Sequence, residues 1–145
     1  MDDDLAGRTA IIINRRRVEF AETDAAGMVH FSMFFRYMEE AEHAVWRSAG
    51  LRIAETPAES SWPRISAHCD FKAPLKFEDE FEVRTVMAAV TRSTIKWEHV
   101  LMRGETVIAT GSVTAVCVKK LPDGSMKSAA IDAAIISRLQ LALAA

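Results

Sequence analysis

From Ser32 onward the apolar residues Phe34, Met38, Ala41 and Val45 recur every three or four positions, while Arg36, Glu39, Glu40, His43 and Arg47 occupy the other faces. That period predicts an amphipathic helix of about five turns. Ser32 suits its N-cap and Gly50 its C-terminal stop, and Arg36 and Glu40 stand at the i,i+4 spacing of an ion pair. Upstream, Ala10 to Phe20 contains Ile11, Ile12, Ile13 and Val18 and reads as a strand. Downstream, Leu51 to Pro63 has no period and carries Pro57, Ser60, Ser61 and Pro63, so it is expected to be a connecting loop.

A period of two then takes over. Strands are expected over Arg64 to Phe71, Glu80 to Val90, Thr94 to Arg103 and Glu105 to Lys119. In the third of these, Ile95, Trp97, His99 and Leu101 alternate with Thr94, Lys96, Glu98, Val100 and Met102. In the fourth, Val107, Val113 and Cys117 share one face, with Ile108, Val116 and Val118 on the other. Thr91-Arg92-Ser93 and Arg103-Gly104 suit tight turns, so the last three strands read as an antiparallel meander. Pro122-Asp123-Gly124-Ser125 is a further turn. The tail from Ile131 through Ile135, Leu139 and Leu143 has helical spacing and is short. One amphipathic helix followed by a mostly antiparallel sheet must bury its apolar stripe on one sheet face, which gives an α+β two-layer fold. Apolar residues remain on the other face, and a second subunit would cover them most simply.

With 145 residues, half of them hydrophobic, the chain suits one domain, 1–145, with residues 1–9 a flexible N-terminus. A net charge of -2 and a pI near 6.1 argue against nucleic-acid binding, which calls for a strongly basic surface. The run Arg15-Arg16-Arg17 is too short to change this. The acidic, polar start shows no signal peptide, and no run approaches the length of a membrane span, so a cytoplasmic protein is expected. Cys69 and Cys117 lie in strand-like segments as buried, reduced side chains. His68, Cys69, His99 and Cys117 are too scattered for a zinc site, and there is neither a Gly-rich phosphate loop nor a Gly-x-Ser-x-Gly turn. No metal or cofactor is expected.

The chemistry concentrates in Glu22-Thr23-Asp24-Ala25-Ala26-Gly27-Met28-Val29-His30-Phe31. Asp24 sits in a small-residue turn between a strand and the start of the helix, where backbone N–H groups are left free. A carboxylate beside free N–H groups joins acid/base or nucleophilic chemistry to carbonyl polarisation. The same Asp also serves as an ordinary turn or capping residue. Gly27 supplies a permissive backbone that allows close ligand approach. His30 could orient Asp24, or simply pack at the helix entrance.

The segment Asp24-Ala25-Ala26-Gly27-Met28-Val29-His30-Phe31 resembles the Asp motif of the hotdog-fold thioesterases, in the 4-hydroxybenzoyl-CoA thioesterase and YbgC-like acyl-CoA thioesterase branch. Arg17-Val18-Glu19-Phe20 before it, Phe34-Phe35-Arg36-Tyr37-Met38-Glu39 after it, and Asp70-Phe71-Lys72-Ala73-Pro74-Leu75-Lys76-Phe77-Glu78-Asp79 extend the likeness across roughly residues 10 to 120. Many relatives carry His where Phe31 stands and Asn where Met33 stands; an aromatic residue at Phe31 is similar to the hydroxybenzoyl-type members. The resemblance implies a five-stranded antiparallel sheet wrapped around one long helix, with a short C-terminal helix. It further implies hydrolysis of an acyl- or aryl-CoA thioester by Asp24, as nucleophile or general base, with the Phe31 N–H as oxyanion donor and Gly27 keeping the turn open. Arg92, with Ser93 beside it, takes the place that grips coenzyme A phosphates, with Lys119 and Lys120 weaker candidates.

The resemblance also implies a homodimer or homotetramer with sites shared between subunits, acting on acyl-CoA or on an acyl carrier protein. Two other readings stay open. His30-Phe31 is similar to the start of a hotdog hydratase or dehydratase motif, although Ser32 replaces its Pro and the later Pro-Gly is missing. A non-catalytic hotdog module would bind acyl-CoA or a carrier protein, with Arg15 to Arg17 meeting an acidic partner.

Overall fold

A computed structural model describes residues 12–53 and 60–144. The N-terminal segment 1–9, Ala10, Ile11 and much of the loop before Ser60 therefore lie outside the described residues. The elements are β1 (Ile12–Arg17), a 3-10 turn (Phe20–Glu22), α1 (Met33–Ser48), β2 (Ser60–Ser61), β3 (Arg64–Phe71), β4 (Glu80–Val90), β5 (Thr94–Arg103), β6 (Thr106–Val116), β7 (Val118–Lys120), β8 (Met126–Ser128) and α2 (Ala133–Ala144). Five strands form an antiparallel sheet in the order β1-β4-β5-β6-β3, and β2-β7-β8 form a second, smaller sheet.

The helix period is realised as read. Phe34, Tyr37, Met38 and Ala41 pack on Phe81, Val83, Leu101, Ile108, Ala109 and Val113 of the sheet. The C-terminal half, through Val45 and Trp46, joins Ile95, Trp97, Ala115, Cys117 and the α2 residues Ile135, Leu139 and Leu143. Gly111 lets α1 approach, because a Cβ there would collide with the Met38 side chain and sit 2.7 Å from the His68 carbonyl oxygen. Gly50, at φ +74, takes the left-handed position that ends the helix.

Four expectations are corrected. The first strand stops at Arg17 and Phe20 belongs to a 3-10 turn, because Val18 leaves the ladder to bond with Asp79 and Glu78. Ser32 holds the N-cap position of α1 as expected but makes no capping bond through its side chain; its hydroxyl meets His30 Nδ1 at 2.8 Å. Glu40 pairs with Arg16 at 2.7 Å instead of Arg36. The last strand is two: a register shift opposite Leu101 and Met102 turns Val107 towards Val86, Val100 and Met102, away from Val113. That strand then breaks at Cys117, and Val118 starts β7 of the small sheet. Val86, Val100 and Met102 are buried within the chain, whereas Ile13, Ile65 and Phe71 of the sheet remain exposed.

Both cysteines are free, and burial pushes the Cys69 thiol up to about 11. No helix among the described residues is long and apolar enough to cross a membrane.

His99 is fully buried on β5, with Nδ1 2.8 Å from Thr85 Oγ1. Burial, with Arg64 adding to it, pushes the imidazole down to about 3. The folded protein keeps this ring neutral, whereas the unfolded chain protonates it near pH 6.5. Its contribution to stability is therefore complete above about pH 6.5 and is lost as pH falls towards the folded value. The double variant His99→Leu/Thr85→Val should have a flatter fall of Tm below about pH 6.5 than the wild type. An equally steep acid limb would exclude His99 as its source.

Candidate active site

The site hairpin is anchored before it begins. Val18 donates its N–H to Asp79 O and accepts from Glu78 N–H, so the chain leaving β1 is tied to the 72–79 connection. Glu22, at the end of the 3-10 turn, is only 6% exposed. Its carboxylate accepts from Arg16 at 2.8 and 2.5 Å, from Tyr37 Oη at 2.9 Å and from the Glu19 N–H at 2.9 Å. Burial pushes this carboxyl upward, but Arg16, the Glu19 N–H and Tyr37 outweigh it and hold it below the usual carboxylate range. The Arg16 guanidinium also lies over the Tyr37 ring and reaches Glu40. Arg17 pairs with Glu80, so the Arg15 to Arg17 run is divided between the interior and the surface.

From Glu22 the chain turns through a hairpin closed by a Thr23–Val29 bridge. The Asp24 N–H bonds to Met28 O at 2.7 Å and the Gly27 N–H to Asp24 O at 3.0 Å, with Gly27 left-handed at φ +82. Oδ1 of Asp24 accepts from the Ala26 and Met28 N–H groups at 2.9 and 3.2 Å. The turn role and the chemical role therefore divide one carboxylate. Oδ1 fixes the loop, and the second oxygen has no partner among the described residues.

The return arm leads straight into the helix. His30 N–H bonds to Glu22 O, Val29 N–H to Leu75 O, and Met33 N–H to His30 O. The Ser32 N–H turns to His30 Nδ1 at 3.3 Å, whereas the Phe31 N–H meets no acceptor among the described residues. Asp24 and Phe31 thus flank one closed hairpin, an open carboxylate oxygen on one arm and an open amide on the other. Because its Nδ1 is engaged by Ser32, the His30 ring lies against Phe31, at 4.7 Å between centroids. Around them Phe20, Phe31 and Phe77 stand exposed, with Phe20 and Phe77 edge-to-face at 5.6 Å.

Arg92 is not beside Asp24 in the same chain. It lies exposed in the β4–β5 turn, its carbonyl accepting the Ile131 N–H and that of Ser93 the Cys117 N–H. Those partners pack with the C-terminal half of α1, whereas Asp24 is at its start, and a 16-residue helix is about 24 Å long.

Two clusters escaped sequence reasoning. Arg16 and Glu22 lie six residues apart but Tyr37 comes from α1, and the Glu19-x-x-Glu22 spacing, which forms a capping box, was the available signal. Glu42, buried beside Ala41 and Val45 on the apolar side of α1, bonds Arg64 Nη1 at 2.7 Å and Trp46 Nε1 at 3.2 Å. A carboxylate in an apolar stripe was the signal there.

The fold has counterparts among known proteins. The structure matches that of a hypothetical protein from Aquifex aeolicus with a TM-score of 0.81 and 31% identity, covering 88% of this chain and 98% of that one. It matches a gentisyl-coenzyme A thioesterase with a TM-score of 0.78 and 27% identity, covering 88% and 99% of the two chains. A 1,4-dihydroxy-2-naphthoyl-CoA hydrolase of Synechococcus elongatus is 23% identical over 72% of this chain and 79% of its own. An antiparallel sheet carrying a helix on one face, with these likenesses, defines a thioester hydrolase of the hotdog type. A model of the thioesterase-like superfamily matches residues 18–139, and the chain belongs to that family.

Proposed function

We propose that this protein is an acyl-CoA thioesterase of the 4-hydroxybenzoyl-CoA thioesterase and YbgC-like branch, with Asp24 as its catalytic carboxylate. The observation that carries the reading is the hairpin geometry: one oxygen of Asp24 is pinned by the loop, and among the described residues the other oxygen and the Phe31 amide at the returning arm have no partner. Attack on the thioester carbonyl, by Asp24 itself or by a water it deprotonates, moves the carbonyl electron pair onto oxygen. The Phe31 N–H donates to that oxyanion, which then collapses and expels the coenzyme A thiolate. An anhydride, if formed, is opened by water to restore Asp24. The exposed Phe20, Phe31 and Phe77 offer an apolar rim to an aryl or acyl group, and two similar proteins are named for aryl-CoA substrates. Assaying a panel of aryl- and fatty acyl-CoA thioesters with a thiol reagent tests the reading. Turnover of at least one, with aryl thioesters preferred, is expected; no thiol release from any would overturn it.

Separation of Arg92 from Asp24 supports a site completed by a second copy. β3 is an edge strand of eight residues with Ile65 61% and Phe71 51% exposed, open to pairing on its outer side. We therefore expect a homodimer at least, built through this edge, or a homotetramer of two such dimers. Sedimentation at assay concentration should show it, and activity should fall when dilution separates the subunits; a fully active monomer would refute the shared site.

Arg92→Ala should raise KM for acyl-CoA and leave the matching acyl-pantetheine thioester unchanged, because only the former carries nucleotide phosphates. Parallel losses on both substrates would assign Arg92 to structure or chemistry instead.

A further inference from the structure

A buried carboxylate lies at the foot of the hairpin and takes no part in the attack itself. Glu22 is 6% exposed and both its oxygens are engaged, so it is neither an available base nor a nucleophile. Its partners come from three elements. Arg16 reaches it from β1, the Glu19 N–H from the start of the 3-10 turn, and the Tyr37 hydroxyl from the second turn of α1. Burial, with Glu22 beside it, pushes the Tyr37 phenol up, so the hydroxyl stays a donor to this carboxylate. Arg16 is held in turn by Glu40, about one turn further along α1.

The main chain of Glu22 governs both arms of the hairpin. Its carbonyl accepts the His30 N–H at 2.9 Å, immediately before the Phe31 amide, and Asp24 follows it by two residues. The Thr23–Val29 bridge carries that register into the turn. On the return arm, the bonds from Met33 N–H to His30 O and from Phe34 N–H to Phe31 O make the Phe31 amide part of the helix start. The outgoing arm reaches the body of α1 through the bond from Tyr37 to Glu22. Apolar side chains filling the same space would serve stability about as well as a buried ion pair. They would not fix hydrogen-bond lengths and directions between three elements.

We propose that Glu22, with Tyr37 as its contact on α1, is a positioning residue for the hydrolysis, setting the free oxygen of Asp24 against the Phe31 amide. This role rests on the reading of Asp24 as the catalytic carboxylate. The two groups must meet one carbonyl together, the carboxylate or its water at carbon and the amide at oxygen. An error of about 1 Å in such a pair costs up to about a hundredfold in rate. Substrate binding makes no use of the buried carboxylate, so the loss falls on kcat and not on KM.

Tyr37→Phe tests this, because it deletes one hydroxyl and leaves the ring packed against Arg16 and Phe81. With an acyl-CoA that the wild type hydrolyses, kcat should fall about tenfold and KM should stay within about twofold. Glu22→Gln should show the same split. Added to Asp24→Asn, Tyr37→Phe should cost nothing further, because relative placement matters only while both groups are present. Ile135→Ala, which loosens α2 from the far half of α1, is the stability control: it should lower Tm at least as much and keep kcat. If Glu22→Gln misfolds, the Tyr37 variants decide by themselves. Wild-type kcat in folded Tyr37→Phe, or equal losses with and without Asp24→Asn, overturns the positioning role and leaves Asp24 catalytic. Full turnover by Asp24→Asn instead overturns the Asp24 reading, and the positioning role with it.

Discussion

Asp24→Asn is expected to fold normally and to lose at least about a hundredfold in kcat. The amide keeps an oxygen that can accept from the Ala26 and Met28 N–H groups, so the hairpin, with its main-chain Asp24–Met28 bond and left-handed Gly27, has little reason to change. What disappears is the charge on the free oxygen, and with it both a proton acceptor and a nucleophile. Thiol release under saturating substrate, read beside circular dichroism and sedimentation, makes the test. Near-wild-type turnover by the folded variant would reduce Asp24 to a turn residue and move the chemistry elsewhere.

Arg64→Met is expected to cost about 3 kcal/mol of stability, because removing one partner of a buried ion pair leaves the other charge uncompensated. Glu42 keeps only the Trp46 indole N–H in that variant, and its side chain is 2% exposed. Burial already pushes the Glu42 carboxyl up, against the pull of Arg64, and losing Arg64 pushes it further. A carboxyl raised in the folded state favours folding when protonated, so the deficit should be smallest at acid pH and grow as pH rises through its folded value. Thermal melts of the two proteins at matched pH, compared by difference, measure this; a Tm deficit of roughly 10 °C at neutral pH is expected. A deficit independent of pH would mean that Arg64 acts by packing alone.

The periodic elements were legible because their burial is local and regular. The stripe Phe34, Met38, Ala41, Val45 and the alternation Ile95, Trp97, His99, Leu101 each report which side meets the core, and the structure buries those residues. Three strand bounds, at Arg64–Phe71, Glu80–Val90 and Thr94–Arg103, were read correctly because turn residues punctuate them. The break at Cys117 was not legible. Val116, Cys117 and Val118 continue a strand-like pattern, and only the bond from the Cys117 N–H to Ser93 shows where the chain leaves one sheet for the other. Nor was the reversal of Val107, since a bulge adds a residue to the ladder without marking the alternation.

The candidate site divides in the same way. Sequence alone determined that a carboxylate sits in a turn ahead of a helix, because Asp24 and Gly27 are turn formers and the helical period starts only after them. Tertiary structure decided which oxygen of Asp24 is free, which amide at the helix start is left open, and that Arg92 stands at the far end of α1 from Asp24. It also decided that Arg16 meets Glu40 and that Glu42 meets Arg64, each from a distant segment. Hydrogen bonds and charge pairs between such segments follow from how the sheet and helix bring them together in space, and no local period encodes that.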